Sequence, residues 1–174
     1  MKGGFDVLNK NFYTTVYTAH MTSANEYFSV KTSNGSINNI GKSYLASSSS
    51  INICGAMTRR LPGNEGVQFG SGRTRPTVDD YCLDEIITSG ITVTTPSAIT
   101  RNIRETYEEI SGSYGITASE NVTIGEIGLF LWCQGSSGGF VYMVDRTLLE
   151  TPIVLSAGQS AQITYTIRFN YPTE

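Results

Sequence analysis

The sequence predicts an all-β fold, an antiparallel β-sandwich or jelly-roll-like domain with an irregular N-terminal arm. Three observations carry that prediction. From 161 to 171 apolar and polar residues alternate, with Ala161, Ile163, Tyr165, Ile167, Phe169 and Tyr171 set against Gln162, Thr164, Thr166, Arg168 and Asn170. Period two marks a strand with one buried face. Upstream, the apolar-rich runs 122–133 and 140–146 are separated by Gln134-Gly135-Ser136-Ser137-Gly138-Gly139, which breaks any helix and suits a hairpin loop. Charged residues make up only 16% of the chain, against about 25% in typical domains, and turn formers and β-branched residues are abundant.

The 174 residues fit one domain better than two. Residues 67–174 form the expected sandwich, and 1–66 the arm or an irregular layer of the same domain. Within the arm, aromatic and Val positions run from Phe12 to Tyr17, followed by a Ser/Asn-rich stretch over 32–50. In the middle, Ile91-Thr92-Val93-Thr94-Thr95 ends at Pro96 and reads as a strand. Ile99, Ile103, Tyr107 and Ile110 fit helical spacing and three of them also one face of a strand; a strand over 99–110 is expected, closed by turn chemistry at Gly112 and Gly115. Pro152-Ile153-Val154-Leu155 then leads through Ser156-Ala157-Gly158-Gln159-Ser160 into the alternating run, the pattern of a hairpin. Four strands are expected between 122 and 171.

The net charge of −3 lacks the basic field of a nucleic-acid binder. The N-terminus shows no apolar stretch of the roughly 7–15 residues an export signal needs. The longest apolar run, 127–133, is far short of the roughly 20 residues that span a bilayer, so a soluble protein is expected. Cys54, Cys82 and Cys133 are odd in number and widely spaced, which predicts buried free thiols and neither a disulfide framework nor a metal knuckle.

His20 is the sole histidine, and no nucleophile elbow accompanies it. A hydrolase built on His20 with Asp79 or Asp80 is therefore the weakest reading, and no catalytic residue is expected. Gly70-Ser71-Gly72 with Arg73 and Arg75 could cradle an anion through converging amides, but the Walker Lys-Ser/Thr is absent; a turn whose arginines face solvent or a neighbouring subunit is the expected reading. Asp79, Asp80, Asp84 and Glu85 could hold Ca²⁺, but their spacing is not that of an EF-hand, and solvated carboxylates or partners for Arg73 and Arg75 are expected. Neither metal nor cofactor is expected. Glu126 interrupts an apolar strand and needs a partner, for which Arg146 on the following strand is the natural choice. Ten tyrosines and Trp132 leave open a carbohydrate-binding module for host attachment, with the 134–139 loop beside the aromatics.

Three ordered blocks carry a resemblance. These are Phe69-Gly-Ser-Gly-Arg-Thr-Arg-Pro-Thr-Val-Asp-Asp-Tyr81-Cys-Leu83, then Val122-Thr-Ile-Gly-Glu-Ile-Gly-Leu-Phe-Leu131, then Asp145-Arg-Thr-Leu-Leu149 followed by Pro152-Ile-Val-Leu-Ser-Ala-Gly158. Together they resemble small β-rich structural proteins of tailed bacteriophages, over roughly 67–167. The resemblance implies a virion component of head decoration, neck or tail, assembled in the host cytoplasm, with no catalytic residues to transfer. Its implied partners are other copies of itself and other virion proteins on a symmetric particle, with neither nucleic acid nor membrane. Within these blocks Arg73, Arg75, Asp79, Asp80, Tyr81, Glu126 and Arg146 are the candidate interface or structural residues. The Gly125 and Gly128 positions are expected to let a neighbouring strand or loop approach closely, and the Asp79-Asp80 loop to pin Gly-rich segments through backbone amides.

Overall fold

The computed structural model describes residues 5–8, 10–12, 27–41, 53–60, 65–135 and 138–170. His20 lies outside them. Among the described residues the strands are β1 (Phe5–Leu8), β2 (Tyr27–Lys31), β3 (Ile37–Gly41), β4 (Gly66–Gly70), β5 (Ile91–Thr94), β6 (Thr100–Ile103), β7 (Tyr107–Ala118), β8 (Val122–Gly135), β9 (Gly138–Leu155) and β10 (Ser160–Asn170), with the short helix α1 (Ile53–Met57) and helical residues at 10–12. One sheet runs β1-β9-β8-β4, a second runs β10-β7-β5 with β6 also on β7, and β2 and β3 form a separate hairpin. Every pairing is antiparallel. The fold is all-β.

The two larger sheets pack face to face. Ile124, Ile127, Leu129 and Leu131 of β8 and Tyr142 and Val144 of β9 meet Ile110, Tyr114 and Ile116 of β7 and Ile163, Tyr165 and Ile167 of β10 in one core. In β10 burial alternates as the sequence pattern requires. Residues 124–131 are buried without a break, because β8 lies in the middle of its sheet with both faces covered. On its outer face Phe130 and Met143 pack with Leu83, from the long segment between β4 and β5.

Several expectations change. Among the described residues between 122 and 170 there are three strands, because β9 continues for 18 residues from Gly138 to Leu155 and unites two segments that the sequence separates. It does so through a register shift: Glu126 faces Leu148 while Ile124 faces Ile153, so 149–152 bulges opposite Gly125. Pro152 sits in that bulge, where a missing N–H costs no ladder bond. Residues 152–155 and β10 are not a hairpin; β9 pairs with β8, β10 pairs with β7, and the turn at 156–159 crosses between the sheets. The 99–110 strand is two strands, β6 and the start of β7, joined by a tight turn with the Arg104 amide donating to the Tyr107 carbonyl at 2.8 Å. Gly112 and Gly115 lie inside β7 and are not turn residues. Gly112 serves close packing there, since a Cβ would fall 2.9 Å from Ile99 Cδ1.

The described parts of 1–66 contribute to the same core. Val30, Ile40, Ala56 and Met57 are buried in it, and β1 adds a strand to β9. The Tyr114 hydroxyl crosses the core to donate to the Met57 carbonyl, and burial pushes its pKa up, so it stays a neutral donor. Among the described residues no helix is long and apolar enough to cross a membrane.

Candidate functional site

The outer face of the β8–β9 pair is where the chain concentrates charge. Glu126 and Arg146 are both fully buried there. In the ladder Glu126 faces Leu148 and Arg146 faces Gly128, so the two side chains meet on the diagonal. Arg146 Nε donates to Glu126 Oε2 at 2.8 Å, and Nη2 lies 2.8 Å from the same oxygen. The 71–87 segment closes over this pair as a strap. Asp80 Oδ2 accepts from Arg146 Nη1 at 2.6 Å, Asp84 Oδ2 lies 2.8 Å from Nη2, and the Thr74 carbonyl and hydroxyl accept from Nη2 at 3.3 and 3.2 Å.

The carboxylates bind the strap's own backbone in turn. Glu126 Oε1 accepts from the Gly72 amide at 3.2 Å and from the Glu85 amide at 3.1 Å. Asp84 accepts from the Thr74 amide at 3.1 Å and from the Thr74 hydroxyl, while Asp80 accepts from the Thr77 amide at 3.0 Å and the Thr77 hydroxyl at 2.8 Å. The strap's two ends are tied to each other by the Ser71 amide donating to the Glu85 carbonyl, and to β4 by the Ile87 amide donating to the Phe69 carbonyl, each at 2.8 Å. Glycines permit the fit. A Cβ on Gly125 would lie 2.6 Å from the Gly72 carbonyl oxygen, and one on Gly128 would lie 2.9 Å from Leu83 Cδ2.

Electrostatics follow from this geometry. Desolvation opposes charge on Asp84, yet the Thr74 hydroxyl and amide together with Arg146 hold its carboxyl below the ordinary aspartate value. Desolvation likewise works against the Arg146 cation, and the hydrogen bonds to Asp80 and Glu126 outweigh it and raise its pKa. Burial, partly offset by Arg146, pushes the neighbouring Cys82 thiol up.

The structure therefore redistributes the predicted residues. Glu126, Arg146 and Asp80 come together, joined by Thr74 and Asp84. Within the acidic cluster Asp80 and Asp84 serve Arg146, because the strap folds across β9. Arg73 donates to the Leu149 carbonyl at 2.7 Å, and Arg75 is exposed. Asp79 pairs with Lys10 at the surface. Tyr81 lies under the Lys31 ammonium, 3.7 Å from its ring centroid, and so ties the strap to β2. The Gly72 amide does bind an anion, but the anion is the chain's own Glu126 carboxylate. That carboxylate, not Asp79 or Asp80, pins the Gly-rich turn.

All three cysteines are free, but only Cys133 is buried; Cys54 is exposed and Cys82 half-buried. Cys54 lies on the one-turn helix α1, whose buried side is taken by Ala56 and Met57. Among the described residues no group of three or more His, Cys, Asp or Glu could hold a metal ion. Thr74 and Asp84 were not legible beforehand as partners of Arg146; the spacing of polar residues in the strap gives no hint of which side chain turns inward. No family model, no curated protein and no solved structure matches this chain.

Proposed function

We propose that the protein is a non-enzymatic structural component of a tailed-bacteriophage virion, in neck, tail or head decoration, that works by subunit contacts. The observation that supports this reading is the convergence of the three blocks on which the resemblance rests. The Phe69–Leu83 block supplies the strap with Gly72, Thr74 and Asp80, the Val122–Leu131 block supplies Gly125 and Glu126, and the Asp145–Leu149 block supplies Arg146. Residues that look like independent motifs in the chain thus make one device, and it is a mechanical one. Arg146 is spent on Asp80, Asp84, Glu126 and Thr74, and both Glu126 oxygens are occupied, which suits a rigid clamp rather than proton transfer or substrate binding.

The carbohydrate-binding alternative draws less support. The Trp132 ring lies against Gly139, where a Cβ would fall 2.7 Å from Cζ2, so one face of the ring is used within its own hairpin. Quantitative mass spectrometry of gradient-purified particles from cells producing the chain tests the proposal. A constant ratio to the major capsid protein is expected, hundreds of copies for a head component and a few to tens for neck or tail. Absence from particles overturns it and moves glycan binding to first place.

A further inference from the structure

Sheet edges are where a β protein is open to strand addition, and natural chains shorten, cover or interrupt them. Here β1, β5 and β6 have four residues each. The outer edge of β4 is covered by the strap and by the Val67 amide donating to the Arg59 carbonyl at 3.1 Å. β10 differs. It runs 11 residues, pairs with β7 through an unbroken register from Ser160 to Asn170, contains no proline or bulge, and has no strand on its other side among the described residues.

We propose that the edge of β10 away from β7 pairs antiparallel with β10 of a second copy, joining the two β10-β7-β5 sheets across a two-fold axis. The strand is self-complementary in that arrangement. Centred on Tyr165, the pairing matches all 11 residues. It sets Thr164 against Thr166, Gln162 against Arg168 and Ser160 against Asn170 on the solvent face, and Ile163 against Ile167 on the buried face. Arg168 is the strand's single charge, and it is neutralised by Glu109 of β7 at 2.5 Å, so no like charges meet across the axis. In-register parallel pairing would instead place Arg168 beside Arg168. An isologous contact of this kind closes on itself, giving a dimer rather than a fibre. The inference rests on the edge itself and not on the virion reading, so the two fail separately: absence from particles does not touch it.

Sedimentation velocity on the full-length protein tests it. A concentration-dependent dimer is expected, and a monomer up to about 1 mM, the weak end of specific association, overturns the proposal. Thr164→Lys/Thr166→Lys puts like charges opposite one another twice and is expected to weaken the dimer roughly tenfold or more. Thr164→Glu/Thr166→Glu does the same, and mixing the two variants is expected to restore a heterodimer. Variants that dimerise like the parent, or a mixture that stays monomeric, overturn the register. Should either variant fail to fold, hydrogen exchange on the parent protein decides: alternate β10 amides gain protection with rising concentration, and protection independent of concentration overturns the pairing.

Discussion

Arg146 stands opposite Gly128 in the β8–β9 ladder, and it is this missing side chain that lets the guanidinium reach diagonally to Glu126 while Leu83 of the strap comes down on the same glycine. A single strand pair thereby anchors a segment that has no ladder of its own between β4 and β5. The strap owes its position to this charge cluster, to one apolar contact cluster, to the Ile87 amide on the Phe69 carbonyl of β4 and to Tyr81 under Lys31, and the buried charges make it sensitive to single substitutions.

Arg146→Met is expected to destabilise the protein by about 3–5 kcal/mol, because it leaves the fully buried Glu126 carboxylate without its cation. Glu126→Gln/Arg146→Met removes both charges and is expected to lose clearly less than the two single losses added together. Urea unfolding midpoints of the four proteins give the coupling. Additive losses would mean that the strap is held by something other than this pair.

Asp84 gives the strap a defined response to acid. Its folded pKa is held below the ordinary value, so its stabilising contribution is complete above the unfolded aspartate pKa of about 3.9. As pH falls through the lowered folded value, that contribution disappears. Stability measured by denaturant at a series of pH values is expected to be flat from neutrality to about pH 5 on this account and to decline below about pH 4. Asp84→Asn is expected to be less stable at neutral pH and to show a shallower decline.

The glycine pair Gly125 and Gly115 separates close approach from ordinary strand geometry. A Cβ on Gly125 meets backbone, 2.6 Å from the Gly72 carbonyl oxygen and 2.9 Å from that of Ser71, and neither can yield without lifting the strap. Gly125→Ala is expected to cost about 1–3 kcal/mol. A Cβ on Gly115 meets Thr94 Cβ at 3.6 Å, an ordinary contact, so Gly115→Ala is expected to fall within about 0.5 kcal/mol of the parent. Thermal unfolding of both variants makes the comparison.

How much of this was legible beforehand varied with the physics involved. β10 and β8 could be read because alternation and a continuous apolar run report burial on one face or both, and the Glu126–Arg146 pair could be read because a carboxylate in an apolar strand needs a cation on its neighbour. Sheet membership could not: the small-residue turn at 156–159 has the same composition whether it returns a strand beside its predecessor or carries it across the sandwich. β9 was divided because 140–146 and 152–155 read as two separate apolar runs, whereas a bulge at 149–152 carries one strand through both. The strap was hardest, since Asp80 and Asp84 look no different in sequence from Asp79, which points outward to Lys10. Only the path of the chain over Arg146 distinguishes them.

The two sheets are also joined by a polar contact inside the core. Tyr165 of β10 donates its hydroxyl to Asp145 Oδ2 of β9, and the Thr147 hydroxyl donates to the same oxygen at 3.3 Å. Asp145 is fully buried, so losing its phenolic partner leaves a side-chain acceptor poorly satisfied away from water. Tyr165→Phe keeps the ring and its packing and is expected to cost about 1–3 kcal/mol. Tyr114→Phe is the matched comparison, because its hydroxyl also crosses the core but ends on a backbone carbonyl, that of Met57. Its cost is expected nearer about 1 kcal/mol, that of an average hydrogen bond. Denaturant unfolding of both variants ranks them, and a Tyr165→Phe loss no larger than that of Tyr114→Phe would show that Asp145 finds equivalent donors on β9 itself.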